Sequence, residues 1–192
     1  MALGPDLVDV LVGDHRVIDR LLSTVAADGA GDAPADTGDR HLSMTIAELA
    51  RHITIEEDYL YPLVREIAPG GDVMAATGLS QADDAEQLMK RLERAPRDVT
   101  RTALVNDLAE VLRGHVEATE HDVFPALRRT YPPDQLAHLA GVVEMARRTA
   151  PTRAHPGAPS TPPWNQILTP GIGLVDKVRD ALTGRRTKPD RS

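Results

Sequence analysis

Residues 51–62 read RHITIEEDYLYP, and residues 114–125 read GHVEATEHDVFP. The two stretches form an internal repeat with an offset of 63 residues, in which these pairs match: His52 with His115, Glu57 with Glu120, Tyr61 with Phe124, and Pro62 with Pro125. In the first copy, His52 and Glu56 stand four residues apart and therefore project from the same face of a helix. This spacing predicts that an imidazole and a carboxylate hold one cation between them.

The second copy of the repeat departs from the first at one position, because Thr119 stands where the first copy has Glu56. The nearest acid is Glu120, five residues after His115. In a regular helix, five residues turn through about 500°, which places Glu120 roughly 140° away from His115. A local widening of the helix just before Pro125 would bring Glu120 inward. His121 is the other candidate at this end of the repeat.

The composition predicts one globular domain with a tail. The chain has 192 residues, of which 41% are apolar and 27% are charged, and compact domains commonly hold about 100–150 residues. No apolar run approaches the roughly 20 residues of a membrane span. The N-terminus lacks the basic start and apolar stretch of a signal peptide, so we expect a cytoplasmic protein.

Two further features of the composition exclude classes of function. The chain has no cysteine, so disulfides, thiolate metal sites and thiol catalysis are excluded. Residues 151–192 hold seven Lys or Arg against three Asp, a sum of +4, and because the whole chain carries −7, residues 1–150 carry −11. With this much negative charge, residues 1–150 are expected to bind nucleic acid poorly. We therefore expect neither a nucleic-acid nor a membrane partner.

The periodicity of the apolar residues predicts an all-α fold. Residues 28–38 are rich in Gly, Asp and Pro and are expected to form a loop. Ser80 and Asp83 have the spacing of a capping box at the start of the third helix. Short connections favour an antiparallel up-and-down four-helix bundle with a short fifth helix. The expected helices span residues 7–27, 39–68, 81–94, 98–131 and 135–149.

The C-terminal segment differs in composition from the bundle. We expect residues 1–150 to form the bundle and residues 151–192 to form a Pro-rich extended tail with a short amphipathic helix at its end. The tail either lies over the bundle, with Trp164 as its anchor, or is free in solution. Its basic end could also contact an unidentified protein partner with an acidic surface.

Six side chains are candidate metal ligands, and they are distributed over all four predicted helices of the bundle. By itself, His15 would be a hydrogen-bonded core histidine and Glu86 a surface charge. Together, ligand-type groups at core positions on four helices favour a cation, because unpaired buried charges are costly. Tyr59, seven residues after His52, could reach the site or pack in the core. The six candidates are His15, His52, Glu56, Glu86, His115 and Glu120.

Four stretches carry a resemblance to a known family: DHRVIDRLL, LARHITIEEDYLYPLVRE, AEQLMKRLE and GHVEATEHDVFPAL. In these stretches, and over most of its length, the chain resembles the hemerythrin-like proteins with an HHE cation-binding domain. The Pro-rich tail is similar to that of one bacterial subgroup of the family. The resemblance implies a four-helix bundle around a non-haem di-iron site.

The resemblance also implies how the ligands divide between two irons. It makes His15 and His52 the nitrogen ligands of one iron, with Glu56 as a bridge between the two ions. For the other iron it implies Glu86, His115 and a second bridging acid, for which Glu120 is the nearest candidate. Where the family supplies a further histidine on the third helix, this chain has Ala82. The first half-site is therefore complete and the second is not.

The function implied by the resemblance is binding or sensing of O₂, NO or peroxide, or the handling of iron. No acid or base is evident beyond the metal ligands, so we expect a binding protein rather than an enzyme, with peroxide turnover as the possible exception. The alternative is a metal-poor helical bundle that acts as a protein-interaction module. Ala82 and Thr119, which take the places of ligands, favour that alternative.

Overall fold

The computed structural model describes residues 4–30, 34–67 and 69–149. Within these ranges the chain is helical and contains no strand, so the predicted all-α fold is confirmed. Two π-helical turns, π1 (Glu56–Leu60) and π2 (Thr119–Val123), join α2 to α3 and α5 to α6. The α-helices are α1 (Leu7–Ala30), α2 (Ala35–Ile55), α3 (Tyr61–Arg65), α4 (Gly71–Leu92), α5 (Val99–Ala118), α6 (Phe124–Thr130) and α7 (Pro133–Thr149).

Each π turn joins two α-helices into one longer helix, so the bundle has four members: α1, α2 with α3, α4, and α5 with α6. Helix α7 is added to this closed bundle. Consecutive helices are neighbours, and α1 closes the ring by packing against α5 as well as against α2. This is the arrangement expected of an up-and-down bundle with short connections. Helix α7 packs against α1 on the outside of the ring. None of the described helices is both long and apolar enough to cross a membrane. The predicted tail lies outside the described residues, and the division at residue 150 stays a prediction.

The loop predicted for residues 28–38 is wrong over most of its length. Helix α1 continues to Ala30, and α2 already begins at Ala35, directly after Pro34. Proline suits the start of a helix, where its missing N–H has no intrahelical partner to lose. Asp36 in the first turn of α2 adds an acid where the helix dipole favours one.

The start predicted for the third helix is also wrong. Helix α4 begins at Gly71, ten residues before the predicted start, so Ser80 lies inside the helix and caps nothing. The turn before α4 depends on two glycines. Gly70 has a φ of 99°, in the left-handed region that favours glycine. A Cβ on Gly71 would collide with the carbonyl oxygen of Val64.

An apolar core runs along the inside of the bundle. Residues of α1, α2, α4 and α5 contribute to it, and Leu49, Leu92 and Leu108 have no exposed surface. Burying side chains of this size stabilises the fold by about 1.5–3 kcal/mol each. Each of the three histidines stands three residues from a member of this core: His15 from Ile18, His52 from Leu49 and His115 from Leu112. The core therefore fixes the positions from which the three imidazoles meet.

The two π turns occupy equivalent places in the internal repeat, since residues 56–60 and 119–123 differ by the same offset of 63. In each turn the backbone N–H of the sixth residue donates to the carbonyl of the first, from Tyr61 to Glu56 and from Phe124 to Thr119. Pi turns are rare and occur often at functional sites. The local widening of the helix expected before Pro125 is therefore present as π2, and the first copy of the repeat has an equivalent widening, π1, before Pro62.

Candidate metal centre

Four buried polar side chains meet in the interior of the bundle. His15 on α1, His52 on α2, Glu56 at the start of π1 and His115 on α5 are each no more than 5% exposed. One ligand atom from each lies within 4.8 Å of those from the other three. In the part of the chain that the structure describes, this is the one group of three or more histidines and acids with such spacing.

Three imidazole nitrogens converge around one oxygen of Glu56. Its Oε1 atom lies 3.3 Å from Nε2 of His115, 3.4 Å from Nε2 of His52 and 4.0 Å from Nε2 of His15. None of these four atoms has a hydrogen-bond partner, and buried polar atoms are costly without one. Ligands bonded at about 2.0 Å to a tetrahedral ion are about 3.3 Å apart. The residues therefore fit a cation.

The three imidazole rings are held at steep angles to one another. The ring of His15 makes an angle of 74° with that of His52 and 87° with that of His115. Rings in this arrangement do not stack on one another, and each contributes one nitrogen to the cluster. The Phe124 ring stacks on His15 at an angle of 15°, with the centroids 5.7 Å apart. In this way π2 places an apolar wall beside the cluster.

The far nitrogens of two imidazoles face carboxylates. Nδ1 of His15 lies 2.9 Å from Oε1 of Glu120, and Nδ1 of His52 lies 3.5 Å from Oδ2 of Asp14. Histidines that ligate metals commonly use their second nitrogen in this way, which fixes the orientation of the ring and makes it a stronger ligand. Glu120, a predicted ligand, thus contacts Nδ1 of His15, the nitrogen that faces away from the cluster, and lies outside the group of four.

Sequence reasoning missed Asp14, which is 5% exposed. Its carboxylate pairs with the guanidinium of Arg147 on α7, so the buried negative charge has a cationic partner. The signal was present in the sequence, because Leu7, Leu11, Asp14 and Ile18 share the spacing of one helix face. An acid within an apolar stripe is an indication of a buried partner.

Comparison with known proteins identifies the family. Residues 6–127 match the family model of the hemerythrin HHE cation-binding domain. The chain belongs to this family. A hemerythrin-like protein of Schizosaccharomyces pombe, described as uncharacterized, is 24% identical over 176 residues, which cover 91% of this chain and 85% of the relative. No solved structure gives a significant match. The resemblance to a bacterial subgroup stays a prediction.

Several positions that the hemerythrin resemblance assigns to a second iron have other roles in the structure. The carboxylate of Glu86 pairs with Nζ of Lys90 at 3.1 Å and lies outside the group of four. Ala82 is a buried apolar residue. The Thr119 hydroxyl donates to the carbonyl oxygen of His115 at 2.7 Å, and His121 is exposed. As ligands, Glu86 and Glu120 remain predictions, and the geometry brings neither into the cluster.

The tyrosine that contacts the cluster is Tyr61 and not Tyr59, the tyrosine for which the sequence suggested this position. The Tyr61 hydroxyl donates to Oε2 of Glu56 at 3.0 Å, and the residue is 2% exposed. Burial and the charge of Glu56 raise the pKa of this phenol far above its usual range. Tyr61 therefore stays protonated and keeps donating to the carboxylate.

The surroundings of two members of the hemerythrin-like cluster, Glu56 and His15, favour the protonation states that metal ligands need. Burial opposes ionisation of Glu56, but the neighbouring His52 and His115 outweigh it and lower the pKa of Glu56 to about 2. Burial and the proximity of His52 lower the pKa of His15 to about 4. At neutral pH, Glu56 is therefore an anion and His15 has a free lone pair, as ligation requires.

Proposed function

We propose that this hemerythrin-like protein binds iron through Nε2 of His15, His52 and His115 and Oε1 of Glu56. The observation that carries the proposal is the convergence of these four buried atoms, none of which has a hydrogen-bond partner. A set of imidazoles and one carboxylate suits iron, as well as manganese and zinc. Membership of a cation-binding family supports the same conclusion.

We further propose that the bound ion takes a small ligand such as O₂, NO or peroxide. An iron held by four protein atoms would supply an open coordination position for such a molecule. The protein contributes the surroundings: Phe124 stacks on His15, and Leu11 and Leu60 on neighbouring turns are fully buried. These apolar side chains exclude bulk water and favour small, weakly polar ligands. We propose binding or sensing rather than turnover, in a cytoplasmic protein.

Elemental analysis of the full-length chain, purified without chelator, tests the proposal. We expect at least one iron per chain after anaerobic loading with Fe(II), and an optical change when NO is added. The substitution His52→Ala should abolish both. His138→Ala is the matched control, because His138 is exposed on α7, and it should bind iron like the wild type. A folded wild-type chain that binds no iron after loading would overturn the proposal.

The same measurement decides on the second candidate function, a metal-poor bundle that acts as a protein-interaction module. The observations in its favour are Ala82 and Thr119, which are buried at positions where the family resemblance implies ligands. A chain that folds fully without metal, and in which His52→Ala changes neither metal content nor spectrum, would support this function instead. Bound zinc in place of iron would retain the site but change the chemistry.

A further inference from the structure

The second oxygen of Glu56 decides how many ions the centre holds. In a dinuclear site the ions lie about 3.5–4 Å apart, and a bridging carboxylate gives one oxygen to each. Here Oε1 of Glu56 faces the three histidines, while Oε2 accepts the hydroxyl of Tyr61 at 3.0 Å. The side of the carboxylate on which a second ion would bind is therefore occupied by a protein group.

The π1 turn is what brings Tyr61 to this place. Tyr61 follows Glu56 by five residues, which in a regular helix would place it about 140° away. The π turn inserts one residue, and the Tyr61 N–H then bonds to the carbonyl of Glu56 itself. The phenol consequently lies on the same side of the helix as the carboxylate. The second copy of the repeat uses the same geometry to place Phe124 against His15.

The phenol ring of Tyr61 packs closely against Gly78 of helix α4. A Cβ added to Gly78 would lie 2.5 Å from both Cε1 and the hydroxyl oxygen of Tyr61, a distance at which one of the two residues must move. Gly78 is one turn before Ala82, where the hemerythrin resemblance implies a histidine. This face of α4 thus accommodates a tyrosine ring and a methyl group in place of a ligand for a second ion.

The other groups that could complete a second site are engaged elsewhere. Glu120 contacts Nδ1 of His15, Glu86 pairs with Lys90, and the Thr119 hydroxyl donates within its own helix. Over the described residues, no second group of three or more histidines and acids comes together. The family's two-ion arrangement is therefore not matched by the residues present.

We propose that Tyr61, seated on Gly78, takes the place of the second metal ion, so that this hemerythrin-like chain holds a single ion. Tyr61 acts as a positioning residue: its hydroxyl fixes Oε2 of Glu56 and so directs Oε1 toward the three histidines. The inference rests on the proposed function, since it presumes that the cluster binds a metal. If this inference is wrong, the chain binds two ions, and if the proposed function is wrong, it binds none. The two failures can therefore be told apart.

An anaerobic Fe(II) titration of the full-length chain, followed by Mössbauer spectroscopy, gives that number. We expect saturation at one iron per chain with the spectrum of an isolated ion. Two irons per chain with the spectrum of a coupled pair would overturn the inference and leave the proposed function in place. No bound iron would overturn the proposed function itself.

Two substitutions test the role of Tyr61. Tyr61→Phe keeps the ring on Gly78 but removes the hydroxyl, so Fe(II) binding should weaken by about tenfold or more, as for other groups that orient a ligand. Tyr59→Phe removes a hydroxyl from the same turn of the chain and should leave the Kd unchanged. Equal Kd values for Tyr61→Phe and the wild type would overturn the positioning role.

A designed second site tests the exclusion of the second ion. Ala82→His restores the imidazole that the family resemblance implies, but Oε2 of Glu56 is still held by Tyr61, so this variant should bind one iron. Combining Ala82→His with Tyr61→Ala removes the phenol and should raise the content toward two irons per chain. Two irons in the single variant, or one iron in the folded double variant, would show that Tyr61 does not exclude the second ion.

Discussion

The carboxylate of Asp14 on α1 pairs with the guanidinium of Arg147 on α7. The family match ends at residue 127, so α7 lies beyond the matched domain. Because Asp14 also faces Nδ1 of His52, the pair connects the added helix with a candidate metal ligand. Helix α7 is therefore part of the same structural unit as the metal centre.

The first prediction concerns the stability that this ion pair provides. Arg147→Met would leave Asp14 buried without a cationic partner, and breaking a buried pair in this way costs about 3 kcal/mol. Urea unfolding of the metal-free protein, followed by circular dichroism, measures the loss. Glu144→Gln on the same helix is the control, because it removes a negative charge 3.3 Å from Arg147 but leaves Asp14 paired. Equal stabilities for the two variants would contradict the prediction.

The second prediction concerns Asp14 as the outer partner of His52. Asp14→Asn keeps the shape of the side chain but removes the negative charge that faces Nδ1, so His52 becomes a weaker and less well oriented ligand. We expect Fe(II) affinity to fall by about 10- to 100-fold, as measured by competition with a metal-binding dye. Asp19→Asn changes an exposed acid on the same helix. An unchanged affinity for Asp14→Asn would show that the 3.5 Å contact has no influence on the metal.

The third prediction compares two glycines inside helices. At Gly78 a methyl group would collide with Tyr61, whereas at Gly141 on α7 nothing lies within 4 Å of an added Cβ. Gly78→Ala should therefore destabilise the metal-free chain by about 1–3 kcal/mol through overpacking. Gly141→Ala should stabilise it by about 0.5–1 kcal/mol, because alanine favours the helix. Thermal unfolding measures the change in stability for both variants. A stabilising Gly78→Ala would mean that Tyr61 is not tightly packed against Gly78.

The sequence predicted the parts of the fold that depend on regular helix periodicity. His15, His52 and His115 could be placed at core positions because each continues the apolar stripe of an α-helix, and these three do meet in the structure. The start of α4 could not be found in this way. Its first turns are buried through small residues such as Ala75 and Gly78, which produce no apolar stripe.

The candidate site was harder to predict where the helices leave regular geometry. A helical projection with 3.6 residues per turn sets Tyr61 about 140° from Glu56, so the contact between them follows only from π1. The same applies to Glu120, whose direction depends on π2. Pro125 indicated the widening at π2, but the equivalent turn π1 was not predicted from the sequence. Within each of these two helices, predictions from helix periodicity therefore hold up to the π turn and fail after it.

The last prediction is a pH dependence that arises from Glu57. Partial burial and the charges of Glu86 and Asp58 raise the pKa of Glu57 to about 7, above its ordinary value of 4.5. Because the folded state then holds this proton more tightly than the unfolded state, stability falls as the pH rises from about 4.5 to above 7. Glu57→Gln should remove this loss, so the variant should be more stable than the wild type at about pH 8 and nearly equal to it below about pH 4.5. The gain should be about 1 kcal/mol or less, since solvent screens a side chain as exposed as this one.

Urea unfolding of the chelator-treated protein at both pH values measures this difference in stability. The variant Glu93→Gln, at an exposed position after α4, controls for the loss of one negative charge. A gain that is the same at both pH values would mean that the titration of Glu57 is not its cause.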